Sequence, residues 1–114
     1  MKPRVPADES PLGTFEEQVM LAVLRQGNEA YASSVRRELE KVTERSIAIG
    51  SVYVTLDRLE AKGLISSTRA QRDESISRRL FVVTSEGARS LATTRAMRDR
   101  LWEGIEIRRL LENA

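Results

Sequence analysis

The stretch from Gly50 to Gly63, GSVYVTLDRLEAKG, carries the pattern around which the rest of the chain is organised. Val52, Leu56 and Leu59 fall at i, i+4 and i+7, a spacing that stacks side chains on one face of a helix and lets that face be buried. At about 100° per residue, the opposite face holds Ser51, Val54, Asp57, Arg58 and Ala61, with Lys62 at its margin. That side is small, polar and partly cationic. Its exception is Val54, an apolar β-branched residue pointing outward near the helix start. A helix entering a DNA major groove reads base edges with its first turns, where an apolar side chain can meet a thymine methyl. The same spacing also describes an ordinary amphipathic core helix with one exposed Val, so the flanking segments have to decide between the two.

A chain of 114 residues fits one domain with a modest core and room for one protruding element. Hydrophobic residues make up 40% and aromatics only 4%, which favours a helical Leu/Val/Ala-rich fold over a β-sandwich. Cysteine and histidine are both absent, which excludes disulfides, thiolate or imidazole metal sites and Ser-His or Cys-His catalysis. Neither GxGxxG nor GxxxxGK[ST] occurs, and the acids are spread along helices, so neither an enzyme nor a cofactor is expected. No apolar run reaches membrane-spanning length, and MKPRVPADES lacks the apolar core of a secretory signal. Together these features point to the cytoplasm. The net charge of +2 hides a mild basic bias over residues 31–83, where ten Lys/Arg face seven Asp/Glu. That bias permits phosphate contact without demanding it.

Residues 1–13, with Pro3, Pro6 and Pro11, read as a mobile arm. Thr14 is the expected N-cap of a first helix, with Glu17 completing a capping box. Phe15, Val19, Ala22, Val23 and Gln26 share its inner face, Met20 and Leu24 widen it, and Gly27-Asn28 stops it. A helix apolar over so much of its circumference needs cover from its own domain and from a second subunit. Ser33 or Ser34 is expected to cap a second helix, whose buried stripe is Val35, Leu39 and Val42. In TERSIAIG (43–50), Ile47 and Ile49 alternate with small or polar residues, as in a very short strand leading into the third helix. Two short helices joined in this way form a helix-turn-helix.

After Gly63 the period changes from 3.6 to 2. LISSTR (64–69) and RRLFVVT (78–84) read as two strands separated by a loop, AQRDESIS (70–77), and a hairpin in this place is a wing. Arg79, Phe81 and Val83 point one way, Arg78, Leu80 and Val82 the other. Arg69, Arg72, Arg78 and Arg79 sit at its loop and strand ends, where they either touch phosphates or serve only as solvated charge. Thr84 caps a last helix running without proline from about Ser85 towards Leu111, some 38 Å if unbroken. Its apolar residues persist to the end, so its simplest partner is a second copy. Leu91, Met97, Leu101, Trp102 and Ile105, with Phe15 and Met20 of the first helix, are the expected dimer contacts. Trp102 is read as seam packing rather than as the wall of a ligand pocket.

The order of elements and four stretches resemble the PadR family of winged-helix transcriptional regulators: LGTFEEQVMLAVLRQG (12–27), Ala30-Tyr31, IGSVYVTLDRLEAKGLISS (49–67) and RRLFVVTSEG (78–87). Gly50, Tyr53, Leu56, Leu59, Gly63 and Leu64 follow the family's G-x-x-Y-x-x-L-x-x-L-x-x-x-G-L pattern, and Thr84 and Gly87 its T-x-x-G. The resemblance implies a mainly α fold with a small β-hairpin: a winged helix-turn-helix over 14–84 and a dimerising helix over 85–114. It implies a homodimer that binds an inverted-repeat operator in double-stranded DNA and represses transcription, with Tyr53 at the DNA surface. The chain departs from the pattern at Ala32, at Val54, where many relatives have proline, and at Ser75-Ile76-Ser77-Arg78, which replaces a Gly-Gly-Arg run in the wing. Trp102 falls about one turn later than the tryptophan with which some relatives sandwich flat aromatic drugs.

On this reading Ser51, Val54, Thr55 and Arg58 face bases and phosphates, while Tyr53, Lys62, Arg69, Arg72, Arg78 and Arg79 hold the backbone. Two alternatives stand beside it. One is a winged helix that binds protein instead of DNA, which the acidic Asp57 on the outward face would suit. The other is a regulator responding to a small-molecule effector held between subunits near Trp102.

Overall fold

A computed structural model describes the backbone of residues 11–73 and 76–113, and their side chains except those of residues 70–77. Five helices and one antiparallel hairpin follow in the order α1 (Thr14–Gln26), α2 (Ala32–Thr43), α3 (Ile49–Ala61), β1 (Ile65–Asp73), β2 (Ile76–Val83), α4 (Ser85–Trp102) and α5 (Arg108–Glu112), with a 3-10 turn at Gly27–Glu29. The expected arm lies outside the described residues over 1–10. Its end is not loose: Leu12 is buried, and its N–H donates to Thr94 Oγ1 at 3.0 Å, tying the start of the chain to α4.

Local chemistry sets each helix start. Gly13, not Thr14, is the N-cap of α1, and its N–H donates to the Glu16 carboxylate at 3.1 Å, so the reciprocal acid is Glu16 rather than Glu17. Tyr31 occupies the N-cap of α2, and Ser34 works from the third helical position. Its hydroxyl accepts from Tyr31 N–H at 2.9 Å and donates to the Glu29 carbonyl at 2.6 Å. The α2–α3 link holds no strand. Glu44 turns the chain in the left-handed region at φ 57°, and Ile47 N–H donates to the Glu40 carboxylate at 2.9 Å. The Ile47/Ile49 alternation thus comes from a helix link, with Ile47 packed against the core and Ile49 opening α3. A backbone donor satisfied by a side chain has no need of a partner strand.

The core forms where three helices and the hairpin root meet. Val19, Met20 and Val23 of α1, Val35 and Leu39 of α2, and Val52, Leu56 and Leu59 of α3 close on Leu64, Ile65 and Phe81. Two positions expected on buried stripes, Leu24 and Val42, are instead exposed. The hairpin is longer than its period suggested. Pairing runs from Ile65↔Val83 to Asp73↔Ile76 with a bulge between Gln71 and Asp73, so most of the expected loop is strand. Phe81 N–H donates to the Ala30 carbonyl at 2.9 Å, which clips β2 to the start of α2.

Thr84 caps α4 as expected: its Oγ1 accepts from Gly87 N–H at 3.0 Å and donates to the Gly63 carbonyl at 2.7 Å. Gly87 sits against the hairpin root so closely that a Cβ there would lie 2.1 Å from the Leu64 carbonyl oxygen and 2.9 Å from Met20 Cε. The last helix does not run on to Leu111. It stops at Trp102, where Gly104 at φ 79° and an Ile105 N–H to Trp102 carbonyl bond of 2.8 Å close a turn, and α5 follows separately. Eighteen residues make α4 about 27 Å long. A glycine able to take positive φ ended the helix that the absence of proline left open.

Because the atom facing Gly87 is backbone oxygen, Gly87→Ala is expected to cost roughly 3 kcal/mol or more, a Tm drop of about 10 °C or more in thermal unfolding. Gly50→Ala, with nothing within 4 Å of its Cβ, is the control and leaves Tm unchanged or raised.

Candidate nucleic-acid interface

The third helix divides cleanly into two sides. Val52, Leu56 and Leu59 are fully buried, whereas Ser51, Tyr53, Val54, Asp57 and Arg58 are exposed, Val54 by 56%. Thr55 belongs to the inner side, at 5% exposure, so its expected outward role is corrected. It lies only about 60° from Val52 around the helix, well inside the buried sector. Burial of the stripe therefore decides which side chains α3 offers to a partner.

Beside that face stands the wing. The Arg78 guanidinium lies 4.6 Å from the centre of the Tyr31 ring, a cation–π stack between residues 47 apart. Tyr31, Ser33, Tyr53, Arg69, Arg78 and Arg79 are among the residues that line a shallow pocket of about 140 Å³ between the α2 start, α3 and the hairpin. Phenol, hydroxyl and guanidinium groups converging in a concave site are suited to an anionic oxygen. Tyr31 and Ser33 were not singled out from the sequence as site residues, because no local pattern pairs Tyr31 with Arg78.

Arg79 turns inward. Its Nη atoms donate to Asp57 at 2.9 Å and to Glu60 at 2.5 Å, and Nε reaches Ser67 Oγ at 3.4 Å. The bonds to Asp57, outweighing burial and helped by Glu60, hold the guanidinium above its already high ordinary pKa. Lys62 is likewise engaged, donating to Glu16 at 3.0 Å and pinning the end of α3 to α1. Burial alone would raise the Glu16 carboxyl, but the Lys62 and Gly13 hydrogen bonds and the Lys62 and Arg58 charges win and hold it below the ordinary value. Arg72 lies outside the described side chains.

The expected dimer contacts separate in the single chain. Met20 is fully buried beneath Gly87, so it is a core residue of the single chain. Phe15 and Leu91 are partly buried against the core. Leu101, Trp102 and Ile105 are exposed, Trp102 by 57%, and the surface beside Trp102 is an open depression formed with Asp99, Arg100 and Glu103. Among the described residues no cluster of acids could hold a metal ion, and no helix is long and apolar enough to cross a membrane.

The model of the transcriptional regulator PadR-like family matches residues 20–93, from the middle of α1 into α4. This chain belongs to the PadR-like family. Solved structures superpose over most of the chain. A PadR-like transcription factor from Bacteroides fragilis superposes with a TM-score of 0.71 at 26% identity, covering 80% of this chain and 85% of that one. A PadR family transcriptional regulator from Eggerthella lenta gives 0.62 at 28% identity, covering 86% and 87%. RosR of H. salinarum, at 22% identity, shares the fold with a TM-score of 0.64 over 90% of this chain and 87% of its own. None of the curated proteins compared with the chain matches it. The PadR-like assignment accounts for the hairpin set directly after α3 and makes this a chain of a transcription-regulator family rather than of an enzyme family.

Two expectations test the geometry. Val54→Ala and Arg58→Gln should unfold within about 0.5 kcal/mol of the parent chain, while Leu56→Ala should lose about 2–5 kcal/mol, both read by denaturant titration. A carboxyl held below its unfolded-state pKa stabilises the fold above that pKa and stops doing so as pH falls through the folded value. Lys62→Met should therefore flatten the loss of Tm on acidification between roughly pH 5 and pH 3, relative to the parent.

Proposed function

We propose that this PadR-like regulator binds double-stranded DNA as a homodimer on an inverted-repeat operator and represses transcription there. The observation that carries the reading is the split of α3: a fully buried apolar stripe, with Ser51, Val54 and Arg58 outward beside the wing. In this reading Val54 meets a thymine methyl, while Arg58, Arg69 and Arg78 with Tyr53 contact the phosphate backbone. Lys62, paired with Glu16, braces the far end of α3 against α1.

Support for a second copy comes from apolar surface that one chain leaves uncovered. Leu21 and Leu24 of α1 and Val42 of α2 line a largely apolar groove of about 420 Å³. Leu101, Trp102, Ile105, Leu110 and Leu111 expose a second apolar surface at the other end of the chain. Residues 14–84 would then supply the DNA-binding unit, and α4, ending at Trp102, with α5 the dimer seam. Burial of two such surfaces between copies removes both from water at once.

A fluorescence anisotropy titration, against duplexes selected from a random pool and against a mixed-sequence duplex, tests the reading. Three candidate cations per protomer, doubled in a dimer, set a slope of roughly −5 for log K against log salt. The selected duplex should bind at least about 10³-fold more tightly than the mixed one. Sedimentation should give a dimer, and Leu101→Glu a folded monomer with much weaker binding. Binding indifferent to sequence and salt, or a parent chain that stays monomeric, would end this account.

A further inference from the structure

Arg69 and Arg79 stand directly opposite each other across the hairpin, an unfavourable placement for two cations unless carboxylates intervene. Those carboxylates come from another element. Arg79 bridges Asp57 and Glu60, one helical turn apart on α3, while Ser67 of the facing strand donates to Glu60 at 2.9 Å. Its guanidinium also lies 4.9 Å from the centre of the Phe81 ring, and Phe81 is anchored in the core. The planar fork is thus held on one side by the core aromatic and along its edge by two acids, a geometry that a flexible lysine could not reproduce.

We propose that Arg79 is a positioning residue: it fixes the wing against α3 and masks the negative charge of Asp57 on the face that meets DNA. This rests on the DNA-binding reading above and assigns Arg79 a role other than phosphate contact. A phosphate approaching Arg79 meets a guanidinium that already gives two of its five N–H donors to carboxylates and a third to Ser67, and whose charge those acids offset. Asp57, exposed on the outward side of α3, would repel that phosphate if its partner were removed. The wing and the helix therefore share one ion-pair network, which adds to the anchoring of the hairpin by buried Ile65 and Phe81.

The test uses the full chain with the selected and mixed-sequence duplexes, after thermal unfolding has established that each variant is folded. Arg79→Gln should weaken binding to both duplexes by roughly tenfold while leaving the salt slope unchanged, whereas Arg58→Gln, which removes one contact from each protomer of the dimer, should reduce the slope by about 1.8. Adding Asp57→Asn to Arg79→Gln should return the mixed-sequence affinity to within about twofold of the parent but leave the selected duplex weakened, because charge is restored and wing placement is not. Asp57→Asn alone, a change at an exposed position, should tighten mixed-sequence binding by roughly fivefold even if Arg79→Gln does not fold. A fall in slope of about 1.8 with Arg79→Gln, or an unchanged affinity with Asp57→Asn, overturns the assignment alone. A parent chain that binds no duplex overturns it together with the reading on which it rests.

Discussion

The burial of Val52, Leu56 and Leu59 is the constraint on which the molecule turns. With these side chains closed against α1, α2 and the hairpin root, α3 has no rotational freedom, and its outward residues follow from helical geometry alone. At roughly 1.5–3 kcal/mol for each fully buried aliphatic side chain, the stripe outweighs any preference of the outward face. Val54 can therefore stay exposed at little cost, and Thr55 is carried inside because its neighbours go there.

Around this centre, contacts distant in sequence join elements that local propensity only starts. Thr84 spans the hairpin root and α4 with two hydrogen bonds, and Gly87 lets the first turn of α4 lie on the Leu64 carbonyl and Met20. At the other side, Thr94 and Arg98 of α4 reach back to Leu12 and Glu17. The C-terminal helix is thus mounted rigidly on the α1 side of the core while its far end, from Leu101 onward, extends past the surface that covers it. In the dimer proposed above, that uncovered apolar end is the part a second copy would cover.

Electrostatics add a second layer. A net charge of +2 gives little overall field, so placement counts for more than total charge. Arg78 is stacked on Tyr31 at the rim of a concave site, and Arg79 and Lys62 are drawn into ion pairs that brace α3 from the wing and from α1. Two acids of α3, Asp57 and Glu60, pair with the same wing arginine, which offsets part of their charge beside Arg58.

Sequence by itself determined the helical periods, the buried stripe of α3, the switch to a hairpin after Gly63, and the Thr84 cap, since each is encoded within one or two turns of chain. Family membership was legible for the same reason, in the spacing from Gly50 to Leu64. Tertiary structure alone decided where Met20 goes, which carboxylates Arg79 meets, that Tyr31 lies under Arg78, and that the alternating residues before α3 pair with no strand. Each of these depends on groups brought together from distant positions, and a one-dimensional period records only which way a side chain points. It does not record what stands opposite.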